Sequence, residues 1–322
     1  MSKTALVTGI TGQDGAYLAE LLLERGYKVY GAQRRNTGIQ HWRTDRLGIT
    51  HDIEFVDFEL NEMTNIIRVI NDVKPDEIYN LAAQSFVHLS FEQPIYTSDA
   101  NFFGPSRILE AIRDTDIRFY QAGTSEMFGK VQEVPQTEST PFYPRSPYGV
   151  AKLGAFWMVK NYRESYGMFG CNGILFNHES PLRGKEFVTR KLVHNLVKVH
   201  KGDSTHVEVG NMSAQRDWGH AKDYVRAMYL MMQQEQADDY VIATGETHTI
   251  ESFARTVCEF LDLKYEDVVK VNPKFFRPAE VDLLVGDASK AKLDLNWEPS
   301  YTLKTLIEEM IEEELYYYAY QH

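Results

Sequence analysis

The sequence predicts an α/β protein built on a doubly wound parallel sheet, with a smaller C-terminal α/β domain. Three observations support this fold class. Apolar segments of strand length alternate with helical segments through the first half of the chain, as is typical of a parallel sheet with helices on both faces. Glycines lie at positions 9, 12 and 15, directly after the first strand. Beyond residue 176 the sequence is richer in loops that carry scattered arginines.

The composition is ordinary for a soluble globular protein, with 43% hydrophobic and 25% charged residues among 322. The net charge of −12 argues against nucleic acid as a partner, so local arginines must hold any anionic ligand. No apolar run has membrane-spanning length, and residues 1–4 lead directly into a strand. The two cysteines, Cys171 and Cys258, form no metal-binding motif and indicate a reducing compartment. We expect a cytoplasmic protein with no signal peptide, no membrane association and no metal.

The first strand–loop–helix unit has the order that a dinucleotide-binding fingerprint requires. Residues 5–8 form an apolar strand, the glycine loop at residues 9–15 follows, and a helix then presents Leu18, Leu21 and Leu22 on one side. Glycine lets the backbone approach a pyrophosphate, and the N-terminus of the helix favours its negative charge. The unit therefore predicts an NAD(P)-binding Rossmann fold.

The end of the second strand indicates which dinucleotide binds. Gln33, Arg34 and Arg35 follow this strand. An acidic residue there would hydrogen-bond an unmodified ribose, whereas an arginine suits a 2′-phosphate. We therefore expect NADP rather than NAD as the cofactor.

Later units bring polar and small residues to the same edge of the sheet. Asp57 ends the third strand and is well placed near an adenine, and small residues follow the fourth strand, where a cofactor must pass closely. The fifth strand delivers Thr124 and Glu126 to the carboxyl edge, where ligands bind in such folds. The strands after the first are predicted at residues 28–32, 53–56, 77–81, 117–120 and 172–176, with helices at residues 61–71 and 96–113.

Tyr148 and Lys152 form the predicted catalytic pair. Ser146 and Pro147 are a helix-start signal, so the two side chains lie one turn apart on one helix face. A phenol titrates near pH 10, and we expect the adjacent ammonium and a bound nicotinamide cation to favour the phenolate. That phenolate can take a proton from a sugar hydroxyl while hydride leaves the same carbon. Thr124 can hydrogen-bond the same oxygen, and Glu126 is an extra base that simple alcohol oxidation does not require.

The second half of the chain is predicted to bind the rest of the substrate. We divide the chain into a Rossmann domain at residues 1–176 and a second domain at residues 177–322, partly interleaved with the first. Arg190, Lys191, Arg216 and Arg277 are scattered through its loops. Arginine binds phosphate in a bidentate manner, so this domain is expected to hold a diphosphate.

Several segments carry a resemblance to a known family. The chain resembles the extended short-chain dehydrogenase/reductases and, within them, the GDP-mannose 4,6-dehydratase family over nearly its whole length. The most specific match is the Asn-His-Glu segment that begins at Asn177, together with Phe-Val-Thr-Arg-Lys, which ends at Lys191. The other matching segments are residues 7–27, 80–87, 124–133, 141–152 and 275–282.

The resemblance implies a role for individual residues. Those implied to be catalytic are Thr124, Glu126, Tyr148 and Lys152. Those implied to hold the substrate are Ser85, Asn177, Lys191, Arg216, Arg277 and Glu280. Together with Asp57, the residues expected to bind NADP are Gly9, Ile10, Thr11, Gly12, Gln13, Asp14, Arg35, Leu81, Ala82, Ala83, Gln84, Ser85, Tyr96, Lys152, His178 and Arg183.

The activity that the resemblance implies is a dehydration. GDP-α-D-mannose would become GDP-4-dehydro-6-deoxy-D-mannose by transient oxidation at C4, loss of water across C5 and C6, and return of the hydride to C6. Glycines at positions 123 and 154, where relatives often carry serine and tyrosine, leave a GDP-heptose open as substrate. A GDP-4-keto-6-deoxymannose reductase on the same scaffold is a second alternative. A non-catalytic NADP-binding protein is a third, and the full set of Thr124, Glu126, Tyr148 and Lys152 argues against it. The resemblance also implies a homo-oligomer, a tetramer or a dimer.

Overall fold

The computed structural model of the chain describes residues 2–35, 38, 41–276, 281 and 283–321. Its strands are β1 (Thr4–Thr8), β2 (Lys28–Gln33), β3 (Ile53–Asp57), β4 (Glu77–Asn80), β5 (Arg118–Ala122), β6 (Gly170–Leu175), β7 (Asn177–Glu179), β8 (Val207–Val209), β9 (Gln215–Arg216), β10 (Trp218–His220), β11 (Asp239–Ile242), β12 (His248–Thr249) and β13 (Val269–Val271). Its α-helices are α1 (Gln13–Glu24), α2 (Trp42–Arg46), α3 (Met63–Val73), α4 (Val87–Glu92), α5 (Pro94–Ser98), α6 (Gly104–Ile112), α7 (Pro147–Tyr166), α8 (Val188–Lys201), α9 (Ala221–Met232), α10 (Ile250–Phe260), α11 (Tyr265–Val268), α12 (Ser289–Leu295) and α13 (Leu303–Gln321).

The central sheet has seven parallel strands in the order β3-β2-β1-β4-β5-β6-β11. The predicted doubly wound α/β fold is confirmed. The strand order reverses between β1 and β4, and the loops that follow these two strands diverge there. Ligands of doubly wound sheets bind in this kind of crevice, beyond the carboxyl ends of the strands.

Helices on both faces bury the sheet through the residues that their periodicity predicts. On one face, Leu18 and Leu22 of α1 pack in a core with Met228 and Met231 of α9. On the other face, α3 and α6 contribute apolar residues that cover Leu6 and Phe119 of the sheet. These strands are buried on both sides, which explains why they read as continuous apolar runs rather than as an alternating pattern.

Helix α7 begins where the sequence predicts. The side-chain oxygen of Ser146 accepts a hydrogen bond from the backbone N–H of Gly149 at 3.0 Å, and Pro147 occupies the first turn. The helix ends at Gly167, whose φ of 67° is in the left-handed region that favours glycine. Because the N-cap is fixed, Tyr148 and Lys152 lie in the first turns and face the end of β5.

The chain after residue 176 contributes both to a second apolar core and to the central sheet. Helices α8, α10 and α13 enclose a second apolar core, in which Leu196, Phe253 and Leu306 are fully buried. Strand β11 and helix α9 also follow residue 176, yet they belong to the central sheet and its helical cover. The division at residue 176 therefore stays a prediction.

The long helix predicted at residues 96–113 differs from the structure. The segment consists of α5, one turn of π-helix at Asp99–Phe103, and then α6. A π turn adds a residue to the helical repeat and often lies at a functional site.

None of the described helices is long and apolar enough to cross a membrane.

Candidate active site

A cavity of about 380 Å³ opens beyond the carboxyl ends of the central strands. All four predicted catalytic residues line it: Thr124, Glu126, Tyr148 and Lys152. Its opposite wall comes from the second half of the chain. The predicted site residues on that wall are Asn177, His178, Arg183, Lys191 and Arg216.

The glycine loop after β1 forms a cradle that fits a dinucleotide. Gly9 has a φ of +72°, and a Cβ on it would lie 2.9 Å from the backbone nitrogen of Ala82. Gly12 lies at the N-cap of α1, where it has no side chain to cap the first N–H groups of the helix. A pyrophosphate can therefore approach the loop backbone and the positive end of the helix together.

Thr8 and Asn80 join the two strand ends at this crevice. The Thr8 hydroxyl donates to the Asn80 side-chain oxygen at 2.7 Å and accepts from the backbone N–H groups of Leu81 and Ala82, both at 3.1 Å. The loops after β1 and β4 are thereby held in one arrangement. Neither residue was predicted from the sequence, although each is a polar residue at the end of an apolar strand.

Asp14 and His178 form a partly buried ion pair on the wall of the cavity. The His178 Nε2 lies 2.8 Å from the Asp14 Oδ2, and its Nδ1 lies 2.8 Å from the carbonyl oxygen of Phe176. Burial would raise the pKa of Asp14, but the charge of His178 and its hydrogen bond lower that pKa to about 2. Because an ionised carboxylate and a carbonyl can only accept, both ring nitrogens must donate. His178 is therefore an imidazolium, and burial is outweighed by Asp14, which raises its pKa.

Thr124 and Glu126 lie on a short turn that follows β5. The Thr124 hydroxyl accepts the backbone N–H of Glu126 at 3.2 Å and begins a turn of 3₁₀-helix at Ser125–Met127. The same Thr124 hydroxyl acts on the Tyr148 phenol and lowers its pKa. The turn therefore places a hydroxyl against the phenol and a carboxylate nearby, in the same cavity.

In the protein by itself the pKa of Tyr148 is raised, and Lys152 is not among the groups found to lower it; that Lys152 favours the phenolate stays a prediction. Burial raises the pKa of Tyr148 to about 12, opposed mainly by the Thr124 hydrogen bond and the charge of Arg183. The Lys152 ammonium instead donates to the carbonyl oxygen of Ala122 at 2.8 Å, and it lies 6.0 Å from the centre of the Tyr148 ring. Burial lowers the pKa of Lys152 to about 8. The phenolate therefore needs a further positive charge, which a bound nicotinamide would supply.

Two of the cations on the opposite wall already have backbone or aromatic partners. Lys191 donates to the carbonyl oxygen of Glu208 at 2.7 Å and lies 3.9 Å from the centre of the Phe275 ring. Arg216 is buried and donates to the carbonyl oxygens of Gln215 and Val281. Both cations are thus fixed in position beside the cavity before any ligand arrives. The predicted residues Arg277 and Glu280 lie outside the described part of the chain.

Several predicted cofactor residues lie near the ends of β2 and β3 and do not line the cavity. Arg35 is exposed there, and Arg34 donates to the Tyr96 hydroxyl at 2.8 Å. Asp57 pairs in register with Gln33 and is exposed. These residues would surround the adenosine half of a dinucleotide that extends from the glycine loop.

The remaining predicted cofactor residues differ in how they face the cavity. Leu81, Ala83 and Ser85 line it. Ile10 is fully buried in the core, and the Gln84 side chain donates to the carbonyl oxygen of Phe86 at 2.9 Å. Ile10 can therefore reach a ligand only through its backbone. The positions of Thr11 and Gln13 are fixed by neighbours, since Arg43 donates to the Thr11 carbonyl and Ser180 donates to the Gln13 side chain.

Arg43 is a positioning residue that the sequence analysis missed. Its guanidinium donates to the carbonyl oxygen of Thr11 at 2.8 Å and to that of Leu182 at 2.7 Å. It therefore connects the glycine loop with the loop that carries Arg183. Its spacing in the sequence offered no signal, because α2 is a short helix that only the tertiary fold brings to the loop.

Of the two glycines that left the sugar open, Gly123 lines the cavity and Gly154 does not. A Cβ on Gly123 would lie 2.6 Å from the carbonyl oxygen of Gly173, and one on Gly154 would lie 2.9 Å from the ring of Phe102. Gly123 lets β5 and β6 approach closely, and Gly154 makes room for an aromatic ring outside the cavity. Neither close approach indicates a heptose in place of a hexose.

Comparisons with known proteins agree with this geometry. A family model described as GDP-mannose 4,6 dehydratase matches residues 6–310. GDP-mannose 4,6-dehydratase from Vibrio cholerae is 47% identical, over 98% of this chain and 94% of its own length.

Solved structures with lower identity share the fold. dTDP-glucose 4,6-dehydratase from Bacillus anthracis, in complex with NAD, has a TM-score of 0.85 at 21% identity, over 97% of this chain and 96% of its own. RMD from Pseudomonas aeruginosa, complexed with NADPH, has a TM-score of 0.81 at 20% identity, over 98% of this chain and 100% of its own. The family match covers most of the chain, and the Vibrio cholerae relative is far more similar than either structure. The chain belongs to the GDP-mannose 4,6-dehydratase family.

Proposed function

We propose that the chain converts GDP-α-D-mannose to GDP-4-dehydro-6-deoxy-D-mannose, as an NADP-dependent hydro-lyase. The observation that carries this proposal is the presence of Glu126 in one cavity with Thr124, Tyr148 and Lys152. Oxidation of an alcohol needs only the last three groups. A second base beside them suits a reaction that must also remove a carbon-bound proton.

The glycine loop and the adjoining cavity wall carry residues suited to hold NADP. The loop and the N-terminus of α1 would hold its pyrophosphate, while Asp14, His178 and Lys152 would lie near its nicotinamide half. Its chemistry when bound is to take up a hydride from the sugar and return it within the same turnover. Because oxidation and reduction balance, the net reaction is loss of one water.

Tyr148 and Thr124 act on the sugar hydroxyl at C4. The phenolate takes the hydroxyl proton as the C4–H bond breaks, and Thr124 hydrogen-bonds the same oxygen. The product is a ketone at C4. A ketone acidifies the proton on the neighbouring carbon, C5, and so prepares the next step.

Glu126 then takes the proton from C5. The electron pair left on C5 expels the C6 hydroxyl, which leaves as water with a proton supplied by Glu126. Hydride returns to C6, and C5 takes up a proton that balances the one Tyr148 removed from the C4 hydroxyl, so that the phenolate and the Glu126 carboxylate are both restored. One cavity must therefore hold C4, C5 and C6 within reach of fixed groups, so positioning contributes as much as acid–base chemistry.

The wall formed by the second half of the chain is proposed to hold the GDP part of the substrate. Lys191 and Arg216 offer positive charge beside the cavity, and Asn177 and Ser85 offer hydrogen bonds. Arg277 and Glu280, beyond the described residues, are proposed to complete this site. Local cations of this kind offset the repulsion between a diphosphate and a chain of net charge −12.

Replacing Arg35 with alanine is expected to remove the preference for NADP. Loss of a charged hydrogen bond to the 2′-phosphate should raise the Kd for NADP by about 10- to 100-fold. The Kd for NAD should not change, because NAD has no such phosphate. Calorimetric titration of both dinucleotides measures the difference. Arg25→Ala is the matched control, since Arg25 packs on Tyr229 away from the loop, and equal NADP affinity in the Arg35→Ala variant would contradict the assignment.

Mass spectrometry of GDP-mannose incubated with the protein and a trace of NADP⁺ tests the proposed activity. We expect loss of one water without net reduction of the cofactor. A further gain of two hydrogens with added NADPH would reveal reductase activity. An unchanged mass would reject GDP-mannose as the substrate.

The location is proposed from the two cysteines, and the assembly from the family resemblance. Both cysteines are free and buried, which suits a reducing compartment such as the cytoplasm. A homotetramer is proposed from the family resemblance.

A further inference from the structure

Two phenylalanines contact each other between the two walls of the cavity. Phe86 ends the loop after β4, and Phe187 lies at the N-cap of α8. Both rings line the cavity, with centres 6.2 Å apart and planes at 85°. An edge-to-face contact of this kind is a favourable aromatic geometry. Phe86 is 39% exposed, so its ring stays accessible to a ligand.

Phe86 is held by a rigid base on the cofactor side. The Gln84 side chain donates to the carbonyl oxygen of Phe86. Asn101 in turn accepts the Gln84 N–H at 2.8 Å and donates to the Gln84 carbonyl oxygen at 2.9 Å. Asn101 belongs to the π turn at Asp99–Phe103, so this turn supports the loop that carries Phe86.

Phe187 is held on the substrate side. Its N–H donates to the carbonyl oxygen of Gly184, and its own carbonyl accepts the N–H of Lys191. The guanidinium carbon of Arg183 lies 3.6 Å from the centre of the Phe187 ring. Arg183 is one of the residues proposed to bind the cofactor. The ring therefore packs against a cation proposed to hold the cofactor, and the backbone of Phe187 is joined to that of Lys191.

We propose that Phe86 and Phe187 form an aromatic clasp that retains the sugar nucleotide between C4 oxidation and C6 reduction. This inference rests on the proposed function, because only a reaction with two separated steps needs its oxidised sugar retained. The clasp joins the loop after β4 to α8, and both rings line the same cavity as Tyr148 and Glu126. It does not take part in the chemistry, and both residues act by positioning.

Opening the clasp is expected to release the sugar too early. The normal product is lighter than GDP-mannose by one water, whereas a sugar released after the first step is lighter by two hydrogens. The double variant Phe86→Ala/Phe187→Ala should release the second species in a fraction about two- to tenfold above wild type, the range expected for one aromatic pair. The two species are distinguished by mass.

The dissociation rate of GDP from the NADP-loaded protein provides a readout independent of activity. Each single alanine variant should release GDP faster than wild type, and the double variant should add little, because either change breaks the same contact. Phe86→Leu should restore part of the retention. The control is Phe260→Ala, since Phe260 is also exposed but lies on α10, outside the cavity lining.

Two results would overturn the clasp. One is an unchanged GDP dissociation rate in both single variants, and the other is independent, additive effects of the two substitutions. If wild type leaves GDP-mannose unchanged, the proposed activity fails, but the GDP dissociation rates still decide whether the rings retain a nucleotide.

Discussion

Replacing Glu126 with glutamine is expected to lower the turnover of GDP-mannose by about 10²- to 10⁴-fold, the usual contribution of a positioned acid–base group. Glutamine keeps the shape of the side chain but cannot take the C5 proton. Oxidation at C4 does not use Glu126, so the bound sugar should accumulate after losing two hydrogens. Rapid quenching followed by mass spectrometry measures this species on the protein.

The affinity for GDP-mannose should be nearly unchanged in the Glu126→Gln variant, as measured by calorimetric titration. Glu235→Gln is a suitable control, because Glu235 is an exposed carboxylate in the loop before β11. Normal turnover by the Glu126→Gln variant would show that another group removes the C5 proton. Loss of binding together with turnover would instead indicate that Glu126 holds the sugar.

Features that depend on local backbone chemistry could be predicted from the sequence. The Ser146–Pro147 start of α7 and the glycine loop before α1 both follow from rules that involve neighbouring residues. The start of α7 places Tyr148 and Lys152 on one helix face without any knowledge of distant contacts. The parallel, doubly wound sheet follows similarly, because alternating strands and helices admit few topologies.

Features that depend on burial and long-range contacts could not be predicted. The raised pKa of Tyr148 arises from the apolar surroundings of its phenol, and no spacing rule reports how deeply a ring is buried. Arg43 reaches Thr11 and Leu182 only because α2 packs over the glycine loop. The contact between Phe86 and Phe187 joins residues about a hundred positions apart and requires both walls of the cavity to be in place.

The Asp14–His178 pair illustrates the same limit. The sequence analysis assigned both residues to the cofactor, yet their charges first compensate each other in the protein by itself. A partly buried imidazolium on the cavity wall adds a positive charge near the proposed nicotinamide site. That charge offsets the Asp14 carboxylate, which by itself raises the pKa of Tyr148.

Replacing Tyr148 with phenylalanine is expected to lower turnover by about 10²- to 10⁴-fold, because the phenol is the group placed against Thr124 to take the hydroxyl proton. Unlike the Glu126→Gln variant, this variant should not oxidise C4, so no sugar lacking two hydrogens should accumulate. Mass spectrometry of the quenched reaction separates the two blocks. Accumulation of that species in the Tyr148→Phe variant would contradict the role of the phenol.

The pH dependence of the Tyr148 phenol tests what activates it. Its pKa is raised to about 12 in the protein without cofactor, so the neutral phenol should persist until the pH rises through that value. A nicotinamide cation favours the phenolate, so bound NADP⁺ should move the transition to lower pH. The ultraviolet difference between wild type and the Tyr148→Phe variant, recorded against pH, measures both transitions. An equal midpoint with and without NADP⁺ would mean that the cofactor does not supply the missing charge.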